Sequence, residues 1–160
     1  MNDTAPCPAD IDRLKRLLLD MGQERSVEPV LKLIVDRLSG QPDVALARVW
    51  LLAPGDICAS CRMRPECPDQ TSCLHLVASA GTSNESGEAW TNLDGFFRRF
   101  PIGVRKVGKI AATGKPIEVP DATADSQWLA RPDWAEAEGI RGFGGQPLIH
   151  QGKVLGVLAV

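Results

Sequence analysis

The C-terminal end of the chain constrains the fold most strongly, because two apolar runs are separated there by a tight turn. Residues 142–149 (GFGGQPLI) and 153–160 (KVLGVLAV) are long enough for strands, and His150-Gln151-Gly152 joins them. Short apolar runs bounded by turn residues are typical of buried strands, and a short connection with glycine favours an antiparallel hairpin. The sequence therefore predicts a sheet that includes this hairpin.

Two amphipathic helices are predicted at the other end of the chain. In residues 10–22 the apolar side chains recur on one helical face, and Gly22 is the expected end. Residues 26–39 carry a wider apolar stripe, with Ser26 as the expected N-cap and Gly40 as the expected end. Both stripes need a partner surface, so we expect these helices to pack on the sheet or on each other.

Shorter segments between these ends also have a regular pattern. We predict strands at 44–52, 74–80 and 116–120 (the last at a sheet edge or end, because of its proline) and helices at 93–99 and 104–113. Residues 1–9 read as a loose tail, and residues 121–139 show no clear period. This order of elements predicts an α+β fold with helices packed on a sheet.

Charge and hydropathy exclude several classes of protein. The formal net charge is −2, so direct nucleic-acid contact by this segment is not expected. No apolar run approaches the ~20 residues of a membrane span, and the first sixteen residues lack the order of a signal peptide. We therefore expect a cytoplasmic protein, in which thiols stay mostly reduced.

Four of the five cysteines lie within sixteen residues, in the segment CASCRMRPECPDQTSC. Their spacing is C-x2-C-x5-C-x5-C, and Arg62 and Arg64 lie among them to offset thiolate charge. Soft sulfur ligands select zinc or an iron–sulfur cluster, and the spacing leaves these two open. The predicted metal ligands are Cys58, Cys61, Cys67 and Cys73.

Two other interpretations of the cysteines stay open. Cys58 and Cys61 have the spacing of a redox C-x-x-C pair, so reversible disulfides would make the segment a redox switch. In the second interpretation the thiols are structural or incidental and have no metal or redox role. His75 follows Cys73 closely enough to replace one cysteine as a ligand, as in sites built from three cysteines and one histidine.

Three stretches resemble the GAF domain, a small-ligand sensor module of signalling proteins. They are RVWLLAPGD (48–56), VGKIAATGKPIEVPDATAD (107–125) and GIRGFGGQPLIHQGKVLGVLAV (139–160). The last stretch is similar to GAF domains of bacterial enhancer-binding transcriptional activators and sensor histidine kinases. The resemblance implies a six-stranded antiparallel sheet with helices on one face and a lidded pocket on the other. It also implies dimerisation through the first and last helices, and a family that seldom catalyses.

The resemblance also defines the expected domain. It covers residues 10–160, and the cysteines lie in an insertion at 55–73 where the family has a short hairpin. The chain stops inside an apolar strand, so we expect a piece of a longer protein that lacks its last helix. We expect an output domain in the full-length chain and a homodimer formed through the N-terminal helices.

Several side chains are candidates for contact with an unidentified small-molecule ligand. Alternation along the strand places His75 on one face with Val77, while aromatic residues of the lid and a charge before the hairpin complete the set. An exposed strand histidine, aromatic core residues and a surface salt bridge are the plainer interpretations. The candidates are His75, Val77, Phe97, Trp128, Trp134, Arg141 and Phe143.

These features together predict a regulatory small-molecule or redox sensor domain of a bacterial signalling protein, without catalytic activity of its own. Two alternatives stay open. A few GAF relatives reduce methionine sulfoxide with cysteines near the pocket, although the cysteines here belong to a turn insertion. The other alternative is a dimerisation module that binds no ligand.

Overall fold

Six antiparallel strands form the centre of the structure, a computed structural model that describes residues 8–121 and 131–160. Helices lie on both faces of the sheet. In chain order the elements are α1 (Pro8–Gln23), α2 (Val27–Ser39), β1 (Leu46–Pro54), β2 (Ser72–Gly81), β3 (Arg99–Pro101), α3 (Arg105–Thr113), β4 (Ile117–Val119), α4 (Pro132–Ala137), β5 (Phe143–His150) and β6 (Lys153–Ala159). A single 3-10 turn, Arg64–Glu66, lies in the β1–β2 loop.

The strand order is β3-β2-β1-β6-β5-β4, which confirms the predicted antiparallel α+β fold. The C-terminal hairpin is formed by β5 and β6, and both Gln151 (φ 48°) and Gly152 (φ 76°) have positive φ at its turn. Such a turn matches the twist of the two strands it connects. The strand predicted at 116–120 is confirmed as β4, and it lies at an edge of the sheet.

Two local predictions are corrected, and one helix was not predicted. Residues 93–99 form no helix; the chain there enters the three-residue edge strand β3 at Arg99. The six-residue helix α4 lies within a segment that showed no clear period. Gly22 lies inside α1, which continues to Gln23. Elements of three to six residues are too short to show a hydrophobic period, and helix ends are fixed by tertiary contacts as well as by propensity.

The alternating residues of β1 divide the core into two layers. Val49 and Leu51 face α2, where they pack with Leu31 and Val35 among others. The next residues in the strand, Trp50 and Leu52, face α3. The layer on that side has as its buried members Trp50, Met63, Leu74, Leu76, Phe100, Val107, Ile110, Ala111, Val157 and Ala159.

A β-bulge changes the alternation of β2. Val49 pairs with Ala78, but the next residue, Trp50, pairs with Leu76, so Val77 is the extra residue. Because of this residue, Leu74 and Leu76 face α3, whereas Ala78 and Ala80 face α2. Even-numbered residues of β2 therefore face α3 before Val77 and α2 after it.

The β1–β2 loop, which carries the expected insertion, has one fully buried side chain in the core. Met63 lies next to the 3-10 turn and is 1% exposed, in the same layer as Trp50 and Phe100. Cys73 and the preceding serine already belong to β2, so the loop is slightly shorter than residues 55–73. Among the described residues, no helix combines the length and apolar character that crossing a membrane requires.

Candidate ligand cleft and thiol cavity

An open cleft of about 1120 Å³ lies on the α3 side of the sheet. Residues of β1, β5, α3 and α4 line it, together with the loop before β3. Ligand sites are usually concave, largely apolar and supplied with a few polar groups, and this cleft has all three properties. It is therefore the candidate site for a small molecule.

Aromatic side chains form one part of the cleft lining. Trp50 and Phe100 meet edge to face, with ring centroids 5.7 Å apart, and Phe100 stacks on Phe97 at 5.4 Å. The Trp50 indole Nε1–H donates a hydrogen bond to the Phe97 carbonyl oxygen at 2.9 Å. These contacts fix the orientation of the rings, so the cleft offers a preformed apolar surface.

Cationic side chains form another part of the lining. Arg48 on β1 donates from Nε to Ser79 Oγ at 3.2 Å, and burial lowers the pKa of its guanidinium. Lys106 on α3 has its Nζ 4.6 Å from the centre of the Phe143 ring, and burial lowers the pKa of this amine as well. Charged groups in such places are stabilised by partners or serve a ligand.

Glu138 fixes the C-terminal end of α4 beside the cleft. Glu138 is 5% exposed. Its carboxylate accepts hydrogen bonds from Ser83 Oγ and from the backbone N–H of Asn84, both at 2.7 Å. The Asn84 side chain donates in turn to the Glu138 carbonyl oxygen at 2.7 Å. Trp134 of α4 packs against Trp90 at 5.3 Å between ring centroids. Hydrogen bonds and an aromatic contact therefore attach α4 to the loop that follows β2.

The structure brings four of the seven candidate ligand residues to the cleft. Phe97, Trp134, Arg141 and Phe143 line it, although ligand binding by them stays a prediction. Sequence reasoning did not single out Arg48, Lys106 or Glu138, because a charged residue in a strand or helix gives no signal of its own until its neighbours are known.

The remaining candidates do not line the cleft or fall outside the described residues. Val77 is the bulged residue and packs on the α2 side. His75 lies between two residues that face α3, so its side chain points away from that face, and it is absent from the cleft lining. The two residues share a face, as alternation predicts, but it is the α2 side of the sheet and not the side that carries the cleft. Trp128 lies outside the described residues.

A second, much smaller cavity of about 20 Å³ is lined by all four clustered cysteines. Cys58, Cys61, Cys67 and Cys73 are free thiols and partly buried. Cys58 Sγ donates to the Gln70 carbonyl oxygen at 3.4 Å. We call this space, with its four cysteines, the thiol cavity.

Gly55 is required at the wall of the thiol cavity. A Cβ at this position would lie 2.6 Å from Cys58 Sγ and 3.2 Å from the Gln70 carbonyl oxygen. Real Cβ atoms do not approach other atoms so closely, so any other residue would displace the sulfur or the loop. The Gly55 N–H also donates to the Thr71 carbonyl oxygen at 2.9 Å, which closes the base of the loop.

Two arginines line the thiol cavity. Arg64 donates from Nη1 to the Cys58 carbonyl oxygen at 3.3 Å, and compensation of thiolate charge by this residue stays a prediction. The second is Arg99 of β3, which sequence reasoning missed, and its charge acts on Cys61 and Cys73. Arg62 instead lies over the Phe96 ring, 5.6 Å from its centre.

An ion pair holds Arg99 in place beside the thiols. Its Nε donates to Asp56 Oδ1 at 2.8 Å, and its Nη2 donates to Oδ2. This hydrogen-bonded pair holds the pKa of Asp56 well below its usual range. His75 Nε2 lies 3.9 Å from Asp56 Oδ1, and it is buried without a hydrogen-bond partner among the described residues.

Burial raises the pKa of the Cys73 thiol to about 11. Cys73 is therefore protonated at neutral pH in the metal-free protein. Within the part of the chain that the structure describes, no group of three or more His, Cys, Asp or Glu side chains is arranged to hold a metal ion. The four thiols share a cavity without metal-ligand geometry, so a metal centre stays a prediction.

A family model for the GAF domain matches residues 26–160. The chain belongs to the GAF domain family. This match confirms the resemblance read from the three sequence stretches. A search of curated proteins found no match to the chain.

Solved structures with the same fold include regulatory GAF domains and enzymes. The GAF domain of an Acinetobacter phosphoenolpyruvate-protein phosphotransferase superposes with a TM-score of 0.63 at 20% identity, over 97% of this chain and 78% of that one. The A. aeolicus nlh2 GAF domain, in an inactive state, gives 0.62 at 15% identity, over 94% and 76%. The free methionine-R-sulfoxide reductase of Neisseria meningitidis, in complex with its substrate, gives 0.57 at 20% identity, over 98% and 75%.

The reductase structures correct the expectation that a domain of this fold is not an enzyme. Free methionine-R-sulfoxide reductases of S. aureus and Neisseria meningitidis share the fold of this chain. At these identities the likeness concerns the fold alone, and fold does not determine activity. The absence of catalysis therefore cannot be inferred from membership of the GAF family.

Proposed function

We propose that this GAF domain is a regulatory sensor that binds a small molecule in the cleft and carries a four-cysteine metal centre in its β1–β2 loop. The cleft of about 1120 Å³, with its preformed aromatic surface and polar groups, is the observation that carries this proposal. Its size suits a ligand as large as a nucleotide or a cofactor fragment. A cytoplasmic bacterial signalling protein with an output domain in the same chain is the setting we propose.

A ligand in the cleft would act by shifting the populations of two conformations. The cleft lining includes α3, fixed to the sheet by Val107 and Ile110, and α4, attached through Glu138 and Trp134. A ligand that contacts both helices binds one relative arrangement more tightly than another. That difference in affinity is the free energy available to bias an output domain.

The convergence of the cysteines on one cavity supports the metal centre. Four thiols from a loop and an adjoining strand line the same space, with the guanidinium groups of Arg64 and Arg99 beside them. A cavity of about 20 Å³ has room for one water-sized body, which favours a single ion over a multinuclear cluster. We therefore favour zinc, which sites of four cysteines bind as a structural staple.

The raised pKa of Cys73 adds a pH dependence to metal binding. A thiol must lose its proton to become a metal ligand, and the pKa of Cys73 is about 11 in the metal-free protein. Metal binding near neutral pH would therefore release the Cys73 proton, and affinity would rise with pH. The four side chains would also have to rotate, since they lack ligand geometry in the metal-free arrangement.

Metal analysis of protein purified without oxygen and without chelator tests the centre. We expect one zinc per chain, no acid-labile sulfide and no visible absorption. Cys61→Ala should lose the metal, whereas Cys7→Ala, the matched control outside the spaced group, should retain it. Iron with equimolar sulfide would show that the centre is an iron–sulfur cluster and not a zinc site. The absence of any metal would contradict a metal centre.

Dimerisation through the N-terminal helices is part of the proposal. Leu14, Leu18 and Leu19 of α1 are 55%, 57% and 67% exposed, although they are large and apolar. Exposed apolar stripes of this kind mark interaction surfaces, and a second copy of the same helix offers a matching stripe.

Catalysis is tested separately from sensing. The assay is turnover of free methionine-R-sulfoxide with a thiol reductant, measured on the protein and on single cysteine variants. None of the four clustered cysteines lines the cleft. Turnover that depends on these cysteines would therefore require a substrate at the thiol cavity and would contradict their role as metal ligands.

A further inference from the structure

We propose that the cleft selects an organic anion, with Arg48 and Lys106 as the groups that recognise its charge and the aromatic surface as the seat of its apolar body. This inference rests on the proposed ligand function of the cleft and names the class of ligand. A carboxylate and a phosphate ester share the chemistry in question, namely an oxyanion attached to a flat or apolar body.

The first observation is that two half-buried cations in the cleft have no carboxylate partner among the described residues. The described contacts of Arg48 consist of one hydrogen bond, to the neutral hydroxyl of Ser79. The described contact of Lys106 is the face of the Phe143 ring. Burying a cation without an opposite charge is unfavourable, and an anionic ligand would relieve that cost.

The second observation concerns which groups of Arg48 remain available. Its Nε is engaged by Ser79, whose hydroxyl donates to the Trp90 carbonyl oxygen. Neither Nη belongs to the buried atoms that lack a partner in the described part of the chain. No described hydrogen bond engages either Nη and neither is fully buried, so both are available for a ligand in the cleft that Arg48 lines, held by the bond at Nε.

The sheet register places the two cations on the same face. Arg48 pairs with Ala159 of β6, and Ala159 pairs with Gly145 of β5. Residues directly opposite each other share a face, and so does Phe143, two residues along from Gly145. Two strand spacings and two residues separate the Cα atoms of Arg48 and Phe143 by about 12 Å. One ligand with an apolar body can therefore reach Arg48 and the lysine above Phe143.

The acidic residues of the cleft do not cancel these charges. The Glu138 carboxylate accepts hydrogen bonds from Ser83 Oγ and from the Asn84 backbone N–H, which are neutral donors, and neither Arg48 nor Lys106 is among its described partners. Asp43 and Glu118 also line the cleft but are exposed to solvent, where their charges are screened. Away from solvent the described lining therefore holds two cations, Arg48 and Lys106, and one carboxylate, Glu138, so a positive charge remains for an anionic ligand.

Three probes with one common body test the proposal: 1-naphthoate, 1-naphthyl phosphate and neutral 1-naphthamide, titrated by calorimetry into the whole chain. We expect at least one anion to bind, and to bind about tenfold or more tightly than the amide. The preferred anion then identifies the oxyanion. An amide that binds as tightly as both anions would overturn the anion preference and leave the cleft a ligand site. If none of the three binds up to about 10 mM, both this inference and the proposed ligand site are contradicted.

Variants identify the groups responsible. Arg48→Gln and Lys106→Gln should each weaken anion binding about tenfold and leave amide binding unchanged, because a charge-assisted hydrogen bond is lost. Arg48→Lys should retain part of the affinity. The matched controls are Arg25→Gln and Lys153→Gln, which lie outside the cleft and should bind like the parent. Thermal unfolding checks that each variant is folded, and unchanged anion binding in both folded cleft variants would overturn the assignment.

Discussion

Arg105 and Glu66 form a two-pronged ion pair, with an Nη2–Oε1 distance of 2.8 Å and an Nε–Oε2 distance of 3.1 Å. Arg105 is the first residue of α3 and lines the cleft, whereas Glu66 belongs to the 3-10 turn of the cysteine loop. Arg105 also has a φ of 52°, an uncommon left-handed conformation for a residue with a side chain. The pair therefore joins the β1–β2 loop, which carries the cysteines, to the wall of the cleft.

Loss of this ion pair should free the cysteine loop without unfolding the domain. Both side chains are about 40% exposed, so we expect Glu66→Gln to change the free energy of unfolding by at most about 1 kcal/mol. Trypsin should nevertheless cleave the Arg62–Met63 bond faster, because Met63 is buried and cleavage requires local opening. Glu85→Gln, at an exposed turn, is the control. Equal cleavage rates in the two variants would show that the pair does not restrain the loop.

Met63 should contribute far more to stability than its place in a loop implies. Its side chain is fully buried in the α3-side layer, so Met63→Ala should lower the free energy of unfolding by about 2–5 kcal/mol. Met63→Leu conserves volume and should cost less than about 1.5 kcal/mol. Leu155 is exposed, so Leu155→Ala should change the free energy of unfolding by about 0.5 kcal/mol or less. Urea unfolding measures all three, and a Met63→Ala value close to that of Leu155→Ala would contradict the packing.

His75 should make the domain less stable in mild acid. Burial, followed by the charge of Arg99, lowers the pKa of His75 below its ordinary 6.5. The neutral form is favoured in the fold, so this stability is present above pH 6.5 and is lost as the pH falls through the folded-state pKa.

The test compares urea midpoints at about pH 7 and about pH 5. His75→Gln should lose less stability than the parent between these values, and His150→Gln, at the exposed end of β5, should behave like the parent. Asp56 does not contribute to this difference in stability. Its pKa is lowered in the fold, so its effect on stability appears only as the pH falls below the ordinary value of 3.8. Equal losses in the parent and in His75→Gln would show that this histidine does not titrate with folding.

The leucine stripe of α1 should control the oligomeric state. We expect the protein to be a dimer in light scattering after size-exclusion chromatography, and Leu14→Glu combined with Leu18→Glu to make it a monomer. A charge at such an interface is costly to desolvate. Leu155→Glu, on an exposed face of β6, should remain dimeric. A dimer that survives the double change would place the interface elsewhere.

The main elements of the fold could be predicted because their hydrophobic periods are long. The stripe of α2 and the runs of β1 and β6 each extend over seven or more residues, enough to separate a helix from a strand. β3 and α4 have three and six residues, and tertiary contacts rather than local pattern define them. The family resemblance supplied the number of strands and their antiparallel pairing, whereas the strand order was seen only in the structure.

The sites were predictable only where residues are close in sequence. The cysteine group was recognised from its spacing, and all four members line one cavity. Arg99 joins them from another strand, and its neighbours in FRRF give no sign of that. Alternation placed His75 and Val77 on one face correctly, but it does not tell which face of the sheet carries the cleft, and it cannot anticipate the extra residue at Val77 that reverses the alternation beyond it.

The sheet ends on both sides in a three-residue strand, β3 at one edge and β4 at the other. Proline ends β3 at residue 101 and follows β4 at residue 120, so few backbone N–H groups are left unpaired there. An extended peptide, or the same strand of another copy, finds almost no ladder to continue. Growth by strand addition, the usual route from a folded sheet protein to a fibril, is thus closed at both margins of this domain.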